Sequence, residues 1–183
     1  DMLDGLILNR TPHIKLYNLL KPSPVQPVQL TEAYKDHYHF IRSVKPYGGR
    51  LEIYNVNPII DAVLADERVI GVAPKISTQV FYTVGAVDVA GVINGVDVEA
   101  ENNLFFFSTY VTTGNYIDLK NIPNSIILGK AAADQMLAKI GDVIQVTTVT
   151  GERQQLKVVG YFQSGLNDLD KVQSYTSLNT AQK

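Results

Sequence analysis

The chain has 183 residues, of which 45% are apolar and 19% charged, and a net charge of −2. That is enough apolar material for a core, which excludes a disordered chain, and the mixed charge excludes a concentrated basic nucleic-acid footprint. The absence of cysteine excludes disulfides, thiolate metal sites and a cysteine nucleophile. No stretch approaches the ~18 apolar residues of a membrane-spanning helix, and no signal-peptide pattern opens the chain. Asp1 as the first residue suggests a fragment.

In chain order, residues 2–12 predict a short helix built on Met2, Leu3, Leu6 and Ile7 and stopped by Pro12. Residues 13–18 alternate and predict a strand, with His13 in a structural role. The texture then changes. Residues 19–50 hold four of the eight prolines, both remaining histidines and Gly48-Gly49. Lys-Pro-Ser-Pro-Val-Gln-Pro (21–27) excludes a helix interior or a central strand and predicts extended, polyproline-like chain. This stretch reads as an insertion on a regular scaffold. Leu51–Tyr54 predicts a short strand. A helix follows, with Asn57 as N-cap, Pro58 at the first helical position and the pairs Ile59/Val63 and Ile60/Leu64, ending near Asp66.

Val69–Thr83 reads as extended chain broken at Pro74, and Val87–Val98 as a second strand bending at Gly91 and Gly95. Residues 102–111 place Leu104, Phe107 and Val111 at helical spacing, with Phe105, Phe106 and Tyr110 widening the face. The alternative for the three phenylalanines is an exposed hydrophobic ligand. Ile126–Leu128 predicts a buried strand. Lys130–Ile140 predicts a helix burying Ala133, Met136, Leu137 and Ile140 and closed by a left-handed Gly141. Val143–Val149 and Arg153–Phe162 flank Thr150-Gly151-Glu152 as a hairpin. Val172–Leu178 is the last predicted strand, and Asn179–Gln182 the start of a helix.

Chemistry-bearing patterns are few. His37 and His39 would share one face of a strand and could give a divalent metal two nitrogens beside Asp36, but nothing marks a third and fourth ligand. An exposed surface loop is the reading adopted, and no metal site is assigned. Leu-Gly-Lys (128–130) lacks the glycine-containing lead of a phosphate loop and has Ala131 where Ser or Thr belongs. Gly91 and Gly95 lack the spacing of a dinucleotide fingerprint. Ser164, Ser174 and Ser177 sit in no nucleophile elbow. Asp168 and Asp170 read as turn formers rather than paired catalytic carboxylates. No catalytic residue and no cofactor is assigned, and the reading is non-enzymatic.

Five short signals carry a resemblance. They are Val-Ala-Pro-Lys-Ile-Ser-Thr-Gln (72–79), Gly-Val-Ile-Asn-Gly-Val-Asp (91–97), Ile-Leu-Gly-Lys-Ala-Ala-Ala-Asp-Gln-Met-Leu (127–137) with Gly-Asp (141–142), Val-Val-Gly-Tyr-Phe-Gln-Ser-Gly (158–165), and Ser177-Leu178 with Ala181-Gln182. In this order and spacing they resemble the extracytoplasmic domain of ABC-transporter permeases of the MacB/FtsX/LolE type. The resemblance covers most of the chain outside 19–50. It implies an α+β fold of two subdomains: a membrane-proximal Porter-like part over 1–83 and an inserted β-rich Sabre-like part over 84–178. Residues 179–183 would begin a truncated return segment.

The same resemblance implies a non-catalytic periplasmic domain of an inner-membrane permease, coupling ATP-driven motion to export or lipoprotein release. Its partners would be an ABC ATPase subunit or domain, a second permease protomer, and periplasmic or outer-membrane proteins, with no nucleic acid. The alternative is a free-standing extracytoplasmic module that binds protein through the Pro-rich insertion. Under either reading the candidate partner contacts are Pro22, Pro24, Pro27, Tyr34 and Tyr38, because polyproline chain loses little entropy on docking. A metal-dependent enzyme built on His37 and His39 is the third and weakest reading. In the LolC branch of the resembled family the hairpin matching 146–156 is long and proline-bearing and hooks a lipoprotein carrier. Here it has no proline and a tight turn, which points to LolE- or MacB-like domains.

Overall fold

The computed structural model describes residues 11–19, 21–42, 44, 46–47, 52–85 and 87–183. The helix expected over 2–12 lies outside the described residues, apart from its last two positions. The chain divides into two compact units, one of Pro12–Arg68 and one containing Val69–Lys183.

The Val69–Lys183 unit is built on a sheet of seven strands: β3 (Lys75–Val84), β4 (Val87–Val96), β5 (Val111–Gly114), β6 (Ser125–Gly129), β7 (Val143–Thr148), β8 (Arg153–Phe162) and β9 (Gln173–Ser177). Their order is β5-β8-β6-β9-β4-β3-β7, and β7 also pairs with β8. All the strands but β5 therefore close into a ring, a six-stranded mixed barrel in which β4–β9 and β6–β8 are parallel and the other pairs antiparallel. Lys157 pairs with Ser125 on one edge of β8 and with Val143 on the other, while farther along Gly160–Phe162 pair with β5. β5 thus continues the edge that β7 leaves.

Period-two patterning fills the barrel. Val80 and Tyr82 of β3, Ile93 of β4, Ile144 and Val146 of β7, and Leu156 and Val158 of β8 form one buried cluster. Helix α4 (Lys130–Met136) adds Ala132, Ala133 and Met136 to it. β6 is buried along its whole length because both its faces are covered. Ile126 and Leu128 join the barrel cluster, whereas Ile127 joins a second one with Val98, Phe107, Leu119, Val159 and Phe162. Continuous apolar sequence without alternation is what two-sided burial requires.

The second cluster is roofed by α2 (Val98–Phe105), a 3-10 turn over Phe107–Tyr110, and α3 (Asp118–Asn121). Asp97 caps α2, its side chain accepting the Ala100 amide at 2.9 Å. α2 ends at Phe106, whose φ of 53° is left-handed, so the single helix expected over 102–111 is broken there. The three phenylalanines part company: Phe107 is buried and Phe106 exposed. Neither the uniform helix nor the wholly exposed ligand describes them. Glu101 of α2 is buried 3.9 Å from Lys75, and that burial pushes its carboxyl above the usual range while the ammonium opposes the shift.

Other expectations need correction. Gly91 and Gly95 introduce no bulge into β4, whose register with β3 runs unbroken from Lys75↔Val96 to Val84↔Val87. They are close-approach positions: a Cβ on Gly91 would sit 2.3 Å from the Tyr82 ring, and one on Gly95 2.3 Å from Ala181 Cβ. α4 stops at Met136 because Leu137, at φ 54°, takes the left-handed position expected of Gly141. Leu137 is consequently 80% exposed and Ile140 is not in the core. The β7–β8 hairpin and β9 form as expected, as does α6 (Leu178–Ala181). Asp168 and Asp170 lie in α5 (Asn167–Val172), where Asp170 is buried and accepts the Ser164 amide at 2.7 Å.

In the Pro12–Arg68 unit neither 13–18 nor the described part of 51–54 is a strand; among the described residues no ladder partner reaches them, and Ile14 and Leu16 stand exposed. His13 is exposed as well, so it has no packed structural role. α1 (Val56–Leu64) starts from left-handed Asn55 instead of Asn57, which places Pro58 in its third position.

Candidate partner-binding surface

Residues 21–47 are less uniformly extended than their prolines suggest. β1 (Lys21–Pro22) pairs antiparallel with β2 (Pro46–Tyr47), Pro22 lying opposite Pro46. Two prolines can face each other only in a short exposed ladder, where missing amides cost little. Pro27 then opens a 3-10 turn over Pro27–Leu30, at the position where its locked φ suits a helical start. Gln26 organises this corner: its buried side chain donates to the Ser23 carbonyl at 2.7 Å, and its amide donates to Gln29 Oε1 at 2.7 Å. Residues 31–37 coil into consecutive turns, with the Tyr34 and Lys35 amides both donating to the Thr31 carbonyl.

The five candidate contacts fall on this small framework. Pro22 lies in the ladder, Pro24 in the bend beside it, and Pro27 at the head of the 3-10 turn, and all three are exposed. Tyr34 is exposed with its ring edge-on to His37 at 6.5 Å, and Tyr38 is 95% exposed. Pro27 and Tyr38 line a hollow of about 430 Å³ together with Gln26, Val28, His39 and Ile41. Phe40, 80% exposed, stands at the same hollow, although it is not among the five candidate contacts. Its signal is the Tyr38/Phe40 spacing of two within a turn-rich segment. Buried in the hollow, His39 Nε2 has no hydrogen-bond partner among the described residues.

His37 and His39 do not share a strand face. His37 ends a turn, its amide donating to the Tyr34 carbonyl, and His39 turns toward the hollow. Among the described residues no group of three or more His, Cys, Asp or Glu is arranged to hold a metal. Lys130, the lysine of the phosphate-loop comparison, is engaged within its own helix. It pairs with Asp134 and lies 5.3 Å above the Tyr161 ring. The β7–β8 turn is tight: the Thr148 amide donates to the Glu152 carbonyl at 2.9 Å, and Gly151 at φ 89° closes it. Among the described residues no helix is long and apolar enough to cross a membrane.

Against known proteins, a family model described as the MacB-like periplasmic core domain matches residues 28–183. The chain belongs to that family, the extracytoplasmic domain of an ABC transporter permease. Among solved structures it is similar to the extracellular domain of the noncanonic ABC-type transporter YknZ from Gram-positive bacteria. The two share 17% identity at a TM-score of 0.52, over 69% of this chain and 64% of that one. It is also similar to the periplasmic region of MacB from Actinobacillus actinomycetemcomitans, at 13% identity and a TM-score of 0.47, over 67% and 54% of the two chains. The chain thus spans less than two thirds of either structure's length. The likeness to YknZ is one of fold. No curated protein matches the sequence.

Proposed function

We propose that this domain is a non-catalytic mechanical element, through which nucleotide-driven motion of a permease is converted into export or lipoprotein release outside the cytoplasmic membrane. The observation that carries the proposal is the family match over 28–183. It favours this reading over a free-standing module, and a closed barrel with a continuous core is a body that can move as one piece. ATP hydrolysis would belong to an ABC ATPase partner, and a second permease protomer would complete the assembly. The division into a Porter-like part over 1–83 and a Sabre-like part over 84–178 is part of the same proposal; the two compact units divide elsewhere, between Arg68 and Val69. The formal boundary at 83/84 falls inside the β3–β4 pairing.

These 183 residues contain no cysteine, so once any cysteines elsewhere in the full-length permease and its ATPase are replaced, one introduced thiol can carry a spin label. With Thr150→Cys labelled in the full-length permease and its ATPase in nanodiscs, trapping nucleotide is expected to shift the label-to-label distance between protomers. An unchanged distribution across apo, ATP-bound and trapped states would overturn the mechanical reading.

Extracytoplasmic partners are proposed to engage Pro22, Pro24, Pro27, Tyr34 and Tyr38. Exposed tyrosines on a preformed turn give contact area at small entropic cost. The β7–β8 turn, compact and without proline, is proposed to make no carrier hook. A photo-crosslinking residue at Tyr38 in the full-length protein is expected to capture one extracytoplasmic protein, and the same residue at Thr150 none. Crosslinking at Thr150 alone would reverse the assignment.

A further inference from the structure

The chain enters the barrel at Lys75, the first residue of β3, and leaves it at Ser177, the last residue of β9. Both are Cα partners of the same residue, Val96 of β4. β3 is antiparallel to β4 and β9 parallel to it, so the two strands pass through one end of the barrel in opposite chain directions. Two strand spacings, roughly 10 Å, separate them. Any force that reaches the barrel along its own chain arrives at these neighbouring ends, and the shortest route between them crosses β4.

Asn94 stands two residues inside that end and is 4% exposed. Asparagine is depleted in strands, and a buried amide is costly unless its donors and acceptor are used. Here Ser77 Oγ of β3 donates to Asn94 Oδ1 at 2.7 Å, and Asn94 Nδ2 donates to the Ser174 carbonyl of β9 at 3.2 Å. One side chain on the middle strand therefore grips both flanking strands. Ser174 is held in turn, its hydroxyl 2.5 Å from Tyr82 OH and 3.3 Å from the Val92 carbonyl. β6 is tied in by Thr176, whose hydroxyl donates to the Ser125 carbonyl at 2.7 Å. Core packing alone would be served by valine at 94; a polar group satisfied by those two strands is better explained by what it joins.

We propose that Asn94 is a mechanical brace that locks β3 and β9 to β4, so that force arriving through either strand moves the barrel as a unit. The proposal rests on the mechanical reading above, and its test is made on the 183-residue chain alone, so that its failure leaves the nucleotide-driven movement of the full permease untouched. Cysteine handles at Ile70 and Lys183 load β3 against β9 in an optical trap; handles at Thr150 and Leu166 load β8, which Asn94 does not touch.

For Asn94→Val the folded lifetime at constant force is expected to fall about tenfold in the first geometry, the scale of two lost hydrogen bonds, and to stay unchanged in the second. Ser77→Ala removes the β3 arm alone from an exposed residue. It is expected to give a smaller loss confined to the same direction, which keeps the test decisive if the valine variant does not fold. An equal loss in both directions would reduce Asn94 to an ordinary stability residue, and no loss in the first would remove the brace altogether.

Discussion

Replacing Gly129 by alanine is expected to lower the unfolding free energy by about 3 kcal/mol, the upper end of the cost of overpacking. Gly129 closes β6 where α5 crosses it, and a Cβ there would lie 2.0 Å from the Asp170 carbonyl oxygen and 2.7 Å from its carbon. Both neighbours are backbone, so no rotamer relieves the contact and α5 must move as a body. That movement also draws Asp170 from the Ser164 amide it accepts at 2.7 Å. Gly141 is the control. At φ 96° an alanine there is strained, but nothing lies within 4 Å of the added carbon, and a cost of roughly 1 kcal/mol is expected. Gly129 itself has an ordinary extended backbone at φ −61°, so urea denaturation of both variants separates the causes: a loss at Gly129 no larger than that at Gly141 would show that α5 yields to the added carbon at little cost.

Leu128→Ala is expected to cost about 2–5 kcal/mol, because Leu128 is fully buried in the barrel cluster and its removal leaves a cavity. Leu137 gives the opposite result although it lies in the same motif. Exposed to solvent in a left-handed conformation, it contributes no core area. Leu137→Ala should therefore stay within about 0.5 kcal/mol of the parent. Leu137→Gly should raise stability by about 1 kcal/mol by relieving the left-handed strain. Thermal and urea melts of the three variants decide the matter. A loss above that range for Leu137→Ala would restore the reading in which helical spacing places Leu137 in the core.

What lay in the sequence by itself was the local grammar of the second half. A two-sided apolar run at 126–128, an alternating hairpin about Gly151 and a terminal strand before Leu178 are all strands in the fold, since each signal comes from residues that pack within a few positions of one another. The ordered motifs over 72–182 also pointed to the family that the match over 28–183 shows. The proline-rich 21–27 segment was legible as chain excluded from a helix interior or a central strand, but its short ladder and the 3-10 turn that Pro27 opens were not. Its candidate contact residues could be named from composition, but the framework of Gln26 and the hollow beneath Tyr38 could not.

Tertiary structure decided the rest. Helical spacing put Leu137 and Ile140 on the apolar side of a helix that in fact ends at Met136; spacing records which side chains would share a face but not how far the helix runs. The close approach at Gly91 and Gly95 was not legible, because a glycine in a strand carries no mark of what approaches it. The Tyr82 ring and Ala181 come from elsewhere in the chain. Residues 13–18 alternate like a strand yet form none, because a strand exists only where a partner offers its free edge. Asn94 is the sharpest case. In the sequence it is one polar residue in Gly-Val-Ile-Asn-Gly-Val, and only the parallel arrival of β9 beside β4, 80 positions along the chain, supplies the second half of its grip. Short-range patterning is written into neighbouring residues, whereas closure of a barrel depends on distant strands meeting, and no local run of residues records that.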